Sequence, residues 1–314
     1  MLVLIREKNL LDPFLNRGLS LHDAARAMGI KFSYDALPQD KYFESDGMRF
    51  HYLDWGDSEN PTIIMLHGFA QQSHSWDFVA LGLCDKFRIV AFDQRGHGDS
   101  DWSQNHNYSL NDYHNDIDNL IKHLGLSETL MVGMSMGGRN AFTYAASHPD
   151  IVSALVVVDA APVAQSSGRD KIRNFVSQED VHPSIEEFVR MVHGYTPNRP
   201  IDQIWGSIKY NVKQLSDGSW TWKYDKFLRS PDRDFRRESK DVSDAMWASL
   251  DMLKAPTLLV VGEDSDIVSH DVANQMINRI SNSQLVSIPN AGHRVMGDNP
   301  VAFQSAINEF LSNI

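Results

Sequence analysis

Ser135 sits in the run Gly133-Met-Ser-Met-Gly137-Gly138, between an apolar stretch, Thr129 to Val132, and an alanine-rich one, Arg139 to His148. A strand that passes into a helix through a sharp turn forces strained backbone at the turn residue, and small neighbours two positions away avoid a collision. The hydroxyl then stands above the turn, with a helix N-terminus beneath it that favours developing negative charge. Such a serine becomes a nucleophile only when a neighbour takes its proton, and imidazole titrates in the useful range. His293, in Pro289-Asn-Ala-Gly-His293 after the apolar run Gln284 to Ile288, is the histidine placed for that role among 13 in the chain. The N–H of Met136, next to the serine, is a candidate donor to an oxyanion.

These residues need a scaffold that ends several strands on one side. Residues 47–55 alternate as a strand, and the runs Thr62–Leu66, Phe87–Phe92, Thr129–Val132, Ala154–Val158, Thr257–Val261 and Gln284–Ile288 are short and largely apolar. Helical patterns fall between them at about 73–84, 110–123, 136–148, 270–280 and 300–312. Buried strands alternating with helices indicate an α/β fold with a largely parallel sheet, whose chemistry gathers beyond the carboxyl ends of the strands. Residues 163–250 break the rhythm with charged and aromatic sequence, a helical segment at Ser184–His193 and turn signals at Asn198–Pro200 and Asp217-Gly218. They are expected to form a helical cap after the sixth strand, which divides the core into 41–162 and 251–314. Residues 1–40 form an extension with a short helix capped by Ser20 and ended by Gly29, expected to pack on the body or on a second copy of the chain.

With these elements in place, the chain resembles the α/β-hydrolase superfamily over residues 41–314. The resemblance rests on His67-Gly68-Phe69, Asp93-Gln-Arg-Gly-His-Gly-Asp-Ser100, the turn at Ser135 and the segment ending at His293, in the family's order. It implies an eight-stranded, mostly parallel sheet flanked by helices, a serine esterase mechanism, and a second oxyanion donor in the N–H of Phe69. The superfamily usually carries its acid after the seventh strand in a Gly-x-x-Asp-x-x-Val pattern. Here Gly262-Glu-Asp-Ser265-Asp-Ile-Val268 puts Ser265 in that place, with Asp264 and Asp266 one residue out of register. Asp159 ends the run 154–158, where a buried carboxylate needs a partner. It resembles the acid of a subset of superfamily esterases and amidohydrolases that take it from the sixth strand. Asp159 is therefore favoured, with Asp266 and then Asp264 as alternatives, and Ser265 is expected to bond Asp159 or His293.

Trp76, Ser265 and His67 are expected at the substrate pocket, His67 also stabilising its turn and His97 its loop. Trp205, Trp220, Trp222, Tyr195 and Phe227 are candidates for an apolar acyl or alcohol site, and Arg190, Lys209 and Arg229 for a substrate carboxylate. The nucleophile's identity points to a small, partly apolar ester or lactone. The same trio suits an amide or a carbon–carbon bond, and a ligand receptor on this fold is a third reading. Lys and Arg number 29 against 41 Asp and Glu, and a net charge of −12 disfavours nucleic acid. No apolar run approaches a membrane span, and no metal or nucleotide motif is present, so no cofactor is expected. Cys84 is the single cysteine, and Met1–Ile5 runs at once into charge, so the cytoplasm is the expected compartment.

Overall fold

The computed structural model describes residues 19–197, 199–230 and 240–314; Met1–Ile5 and Asn198 therefore lie outside the described residues. Eight strands form the main sheet: β1 (Gln39–Ser45), β2 (Met48–Trp55), β3 (Thr62–Leu66), β4 (Arg88–Phe92), β5 (Thr129–Met134), β6 (Val152–Val158), β10 (Thr257–Gly262) and β11 (Ser283–Ile288). Their order is β1-β2-β4-β3-β5-β6-β10-β11, parallel from β4 to β11 and antiparallel at the β1-β2-β4 edge. Successive side chains of a strand face opposite ways. Ile64, Leu66, Leu155, Val157 and Leu259 enter one apolar layer, whereas Ile63, Met65, Val156, Val158 and Val260 enter the other. Burial on both faces is why these strands are continuous apolar runs.

Helices cover both layers: α1 (Leu21–Ala27), α2 (Asp77–Leu83), α3 (Leu110–Leu124) and α4 (Met136–Ser147) precede β6. Helix α1 has Ser20 as its N-cap, accepting the Asp23 N–H, and Ala25 joins the core. The extension is tied down further by Gln304, whose side chain bonds both the N–H and the carbonyl of Lys31 (2.9 and 2.6 Å).

Between β6 and β10 the chain leaves the sheet. This insertion holds α5 (Ser166–Val176), β7 (Val181–His182), α6 (Ile185–Tyr195), α7 (Ile201–Asn211), β8 (Val212–Gln214), β9 (Trp220–Trp222) and α8 (Lys240–Leu250). It is not purely helical, because β7, β9 and β8 make a three-stranded antiparallel sheet. Phe188, Ile204, Trp205, Ile208 and Trp222 give it an apolar cluster of its own. The chain then adds α9 (His270–Arg279), α10 (Val295–Asp298) and α11 (Pro300–Leu311). No helix among the described residues is long and apolar enough to cross a membrane.

The loop after β4 joins these parts. Asp93 Oδ2 accepts from His51 Nδ1 (2.7 Å) and the Asp99 N–H (2.9 Å), while Oδ1 accepts from the Ser73 N–H (2.6 Å). Asp99 in turn pairs with Lys223 of the insertion (2.7 Å), and the Asp225 N–H donates to the Gly96 carbonyl (2.8 Å). Burial alone would raise the Asp93 pKa; the bond from His51, the charge of His51 and the Asp99 N–H bring it down to about 2. A depressed acid stabilises the fold above its unfolded value and loses that contribution as pH falls through the folded one. Asp93→Asn is expected to cost about 3 kcal/mol at neutral pH, as for a broken buried pair. In urea denaturation the gap from wild type should shrink between pH 4 and 2, and a pH-independent gap would contradict this origin.

Candidate active site

The turn at Ser135 depends on two glycines. A Cβ at Gly133 would lie 2.3 Å from the Gly137 carbonyl oxygen, and one at Gly137 would lie 2.2 Å from that of Leu66. Backbone meets backbone at both places, so no side chain can give way. The closeness bends the chain from β5 into α4 within one residue, and Ser135 takes φ 53° and ψ −113°. Such strain persists only where the surroundings over-determine it. Here the Ser135 N–H is held by the Val158 carbonyl (2.9 Å) and the next strand fixes the turn.

Asp159 directly follows β6 with a second positive φ, 45°, and its N–H donates to the Val260 carbonyl (2.8 Å). Its side chain is fully buried. Oδ2 accepts from His293 Nδ1 (2.6 Å) and from Ser265 Oγ (2.7 Å). His293 Nε2 faces Ser135 Oγ at 3.0 Å. With Nδ1–H donated to the carboxylate, Nε2 presents its lone pair to the serine hydroxyl, the arrangement a general base needs. Burial pushes the Asp159 carboxyl up, opposed by His293 and Ser265.

Asp266 is elsewhere: its carboxylate meets Lys171 (3.3 Å). Asp264 is an exposed loop residue. The one-residue offset seen in the sequence therefore turns both away from His293. Ser265 is not on the pocket wall; it accepts the N–H groups of Ile267 and Val268 (both 3.1 Å), which leaves its proton for Asp159. His67 is not on the wall either. It is buried, with Nδ1–H donating to the Gly68 carbonyl (2.8 Å) and Nε2 accepting the Gln94 N–H (3.1 Å). Gln94 also bonds the His67 carbonyl (2.8 Å) and Asn140 of α4 (2.7 Å), so the turn bearing Phe69 is braced against the helix bearing Met136. Trp76 is corrected as well: its short 3-10 turn points the indole inward, and it is fully buried in an apolar layer of the core.

Two cavities meet at Ser135. The larger, about 770 Å³, is lined by Phe69, Met136 and Asp159 and by apolar residues of the insertion, including Ile172, Val176, Phe227 and Met246. The smaller, about 220 Å³, is lined by His293, Arg294, Tyr195, Arg199, Lys209 and Trp222. Trp205 is buried in the insertion's own cluster and Trp220 packs against it, so neither lines either of these cavities. Arg190 pairs with Glu187 (2.7 Å) and Arg229 with Asp180, away from both. Arg199 and Arg294 escaped sequence reasoning; the position of Arg294, directly after His293, was the available signal.

A serine on a strained strand-to-helix turn, facing a carboxylate-held histidine over a parallel sheet, defines a nucleophilic hydrolase. The family model for the alpha/beta hydrolase fold matches residues 61–300, and the chain belongs to that family. It is 30% identical over 257 residues to Esterase Rv0045c of Mycobacterium tuberculosis, covering 80% of this chain and 82% of that one. The crystal structure of that esterase superposes with a TM-score of 0.74 at 27% identity over 96% of this chain and 98% of the other. It is also 29% identical to 2-(acetamidomethylene)succinate hydrolase of Mesorhizobium japonicum, over 80% of this chain and 88% of the relative. The structure of E-2-(acetamidomethylene)succinate hydrolase gives a TM-score of 0.78 at 25% identity over 88% and 100%.

The role of Asp159 has a direct test. A fluorophosphonate, which bonds to activated serines, is expected to label Ser135, and Asp159→Asn should slow labelling by about 10⁴, the loss seen for a wrong histidine tautomer. Asp266→Asn should label at the wild-type rate. Fast labelling of Asp159→Asn would overturn the assignment.

Proposed function

We propose that the chain hydrolyses carboxylic esters of small, partly apolar substrates through an acyl-enzyme on Ser135. The observation that carries this reading is the Asp159–His293–Ser135 line, with contacts of 2.6 and 3.0 Å, opening on a cavity of about 770 Å³. The similarity to Esterase Rv0045c supports it.

In this reading His293 Nε2 takes the Ser135 proton as Oγ bonds to the ester carbon, and the carbonyl electrons move onto oxygen. Asp159 holds the ring and stabilises the imidazolium that results. The N–H groups of Phe69 and Met136 receive the oxyanion; Met136 opens α4, where helix N–H groups have no partner within the helix. Collapse breaks the carbon–oxygen bond, and the Nε2 proton goes to the departing alkoxide. Water then attacks the acyl-enzyme, giving its proton to Nε2, and the carboxylic acid leaves as the proton returns to Ser135. Residues 163–250 act as a cap: Ile172, Val176, Phe227 and Trp222 close the two cavities from above and limit the water that reaches the acyl-enzyme.

Short p-nitrophenyl esters test this. Steady turnover is expected, with Ser135→Ala at the uncatalysed background. One equivalent of p-nitrophenol with no turnover would identify a receptor that merely acylates. Turnover of amides with no cleavage of esters would move the reading to an amidohydrolase, a bond the same relay can break.

A further inference from the structure

The smaller cavity has an electrostatic character that the ester reading does not explain. Arg294 follows His293 directly, and Arg199 reaches the same space from the segment before α7. Arg199 donates one terminal nitrogen to the Gln203 carbonyl and to Ser207 Oγ, both at 3.0 Å, while its Nε is buried with no hydrogen-bond partner. Among the described residues, neither guanidinium forms an ion pair. Desolvation lowers the pKa of both, and the charge of Arg294 lowers that of Arg199 further; the Asp298 carboxylate opposes both shifts. That carboxylate also accepts the Gly292 N–H at 3.0 Å. Asp202 and Asp77 also border the cavity, and Asp77 is tied to His74 (2.9 Å). Lys209 adds a third cation, its Nζ 4.7 Å from the Tyr210 ring centre. Two half-buried guanidiniums that repel each other, with donors unspent, are a costly arrangement unless an anion completes it.

The cavity's position fixes which part of an ester it receives. His293 Nε2 must hand its proton to the departing alcohol oxygen, so the alcohol fragment leaves on the side His293 lines. That is the cavity of Arg199 and Arg294. The larger cavity, whose wall carries Arg139, Arg169 and Arg173 as well as Phe69, Met136, Ile172, Val176 and Phe227, remains for the acyl group.

We infer that Arg199 and Arg294 form a carboxylate-binding subsite for the alcohol fragment, making the preferred substrates esters of hydroxy acids. Two guanidiniums can grip a carboxylate through paired N–H donors, which fixes its orientation as well as its charge. The inference rests on the ester-hydrolase reading for the assignment of sides, whereas the anion site itself does not.

Three esters separate the possibilities: 3-acetoxypropionate, with its carboxylate on the alcohol side; monoethyl succinate, with it on the acyl side; and neutral butyl acetate. In wild type, kcat/KM for 3-acetoxypropionate should exceed that for the other two. In Arg199→Gln and Arg294→Gln, its ratio to butyl acetate measured on the same variant should fall by about 10- to 100-fold, mainly through KM, as expected for lost charge-assisted bonds. Arg199→Lys should restore part of the ratio. An unchanged ratio in both variants, or a loss confined to monoethyl succinate, would overturn the proposal.

Calorimetric titration of the Ser135→Ala chain with 3-acetoxypropionate reads the subsite without turnover. Binding should be lost when Arg199→Gln and Arg294→Gln are added, and equal binding would overturn the subsite even if esters are cleaved. Failure to cleave any ester, with arginine-dependent binding intact, would defeat the reaction and keep the anion site.

Discussion

A carboxylate taken out of water must be repaid by the groups around it, and at Asp159 that requirement organises the whole site. One oxygen takes both His293 Nδ1–H and Ser265 Oγ–H, while the other is buried without a hydrogen-bond partner. Burial raises the acid's pKa against the bonds from His293 and Ser265 and leaves a strong demand for a positive neighbour. In the proposed mechanism His293 becomes imidazolium and answers that demand, so the strain on the acid is relieved as charge develops on the ring. Ser265, in the place where the superfamily usually has its acid, acts as the carboxylate's second donor. Its own acceptor capacity is used by Ile267 and Val268, so the hydroxyl proton has one direction to point.

Holding such a group in place needs rigid surroundings. The Ser135 and Asp159 turns both have positive φ, and they lie on adjacent strands linked by the bond from the Ser135 N–H to the Val158 carbonyl. Beneath them, His67, Gln94 and Asn140 form a chain of hydrogen bonds with buried partners. The motif around Asp93 thus serves the site from below: its loop braces the sheet end and also anchors the insertion through Asp99 and Lys223. The insertion lends Ile172, Val176, Phe227 and Met246 to the larger cavity's wall, beside Phe69, Leu110, Met136 and Ile267 of the core, and Ile172 and Met246 pack with the main apolar layer rather than with the insertion's own cluster.

Much of the scaffold was legible because both faces of its central strands are buried: β3, β4, β5, β6 and β10 read as apolar runs of strand length. Ser135 and His293 were legible through local turn chemistry although 158 residues separate them. β1 was missed, since charged and exposed residues alternate along it at the sheet's edge. The three-stranded sheet of the insertion was missed because two or three residues per strand carry no period. Trp76 and His67 were misplaced for a common reason. Their types suit a pocket, but whether a ring faces a cavity or the core is decided by the turn that carries it. Arg199 and Arg294 were passed over for the converse reason: although Arg294 directly follows His293, an arginine's lack of an ion-pair partner is a property of tertiary structure alone.

The central claim is that Asp159 carries the hydrogen bond that orients His293. Proton NMR of the full chain reads that bond directly, because an imidazole N–H held tightly by a buried carboxylate resonates far downfield of the amide protons. A downfield signal is predicted in wild type and in Asp266→Asn, and it should be absent from Asp159→Asn and His293→Ala. A signal that survives Asp159→Asn but disappears in Asp266→Asn would contradict the account.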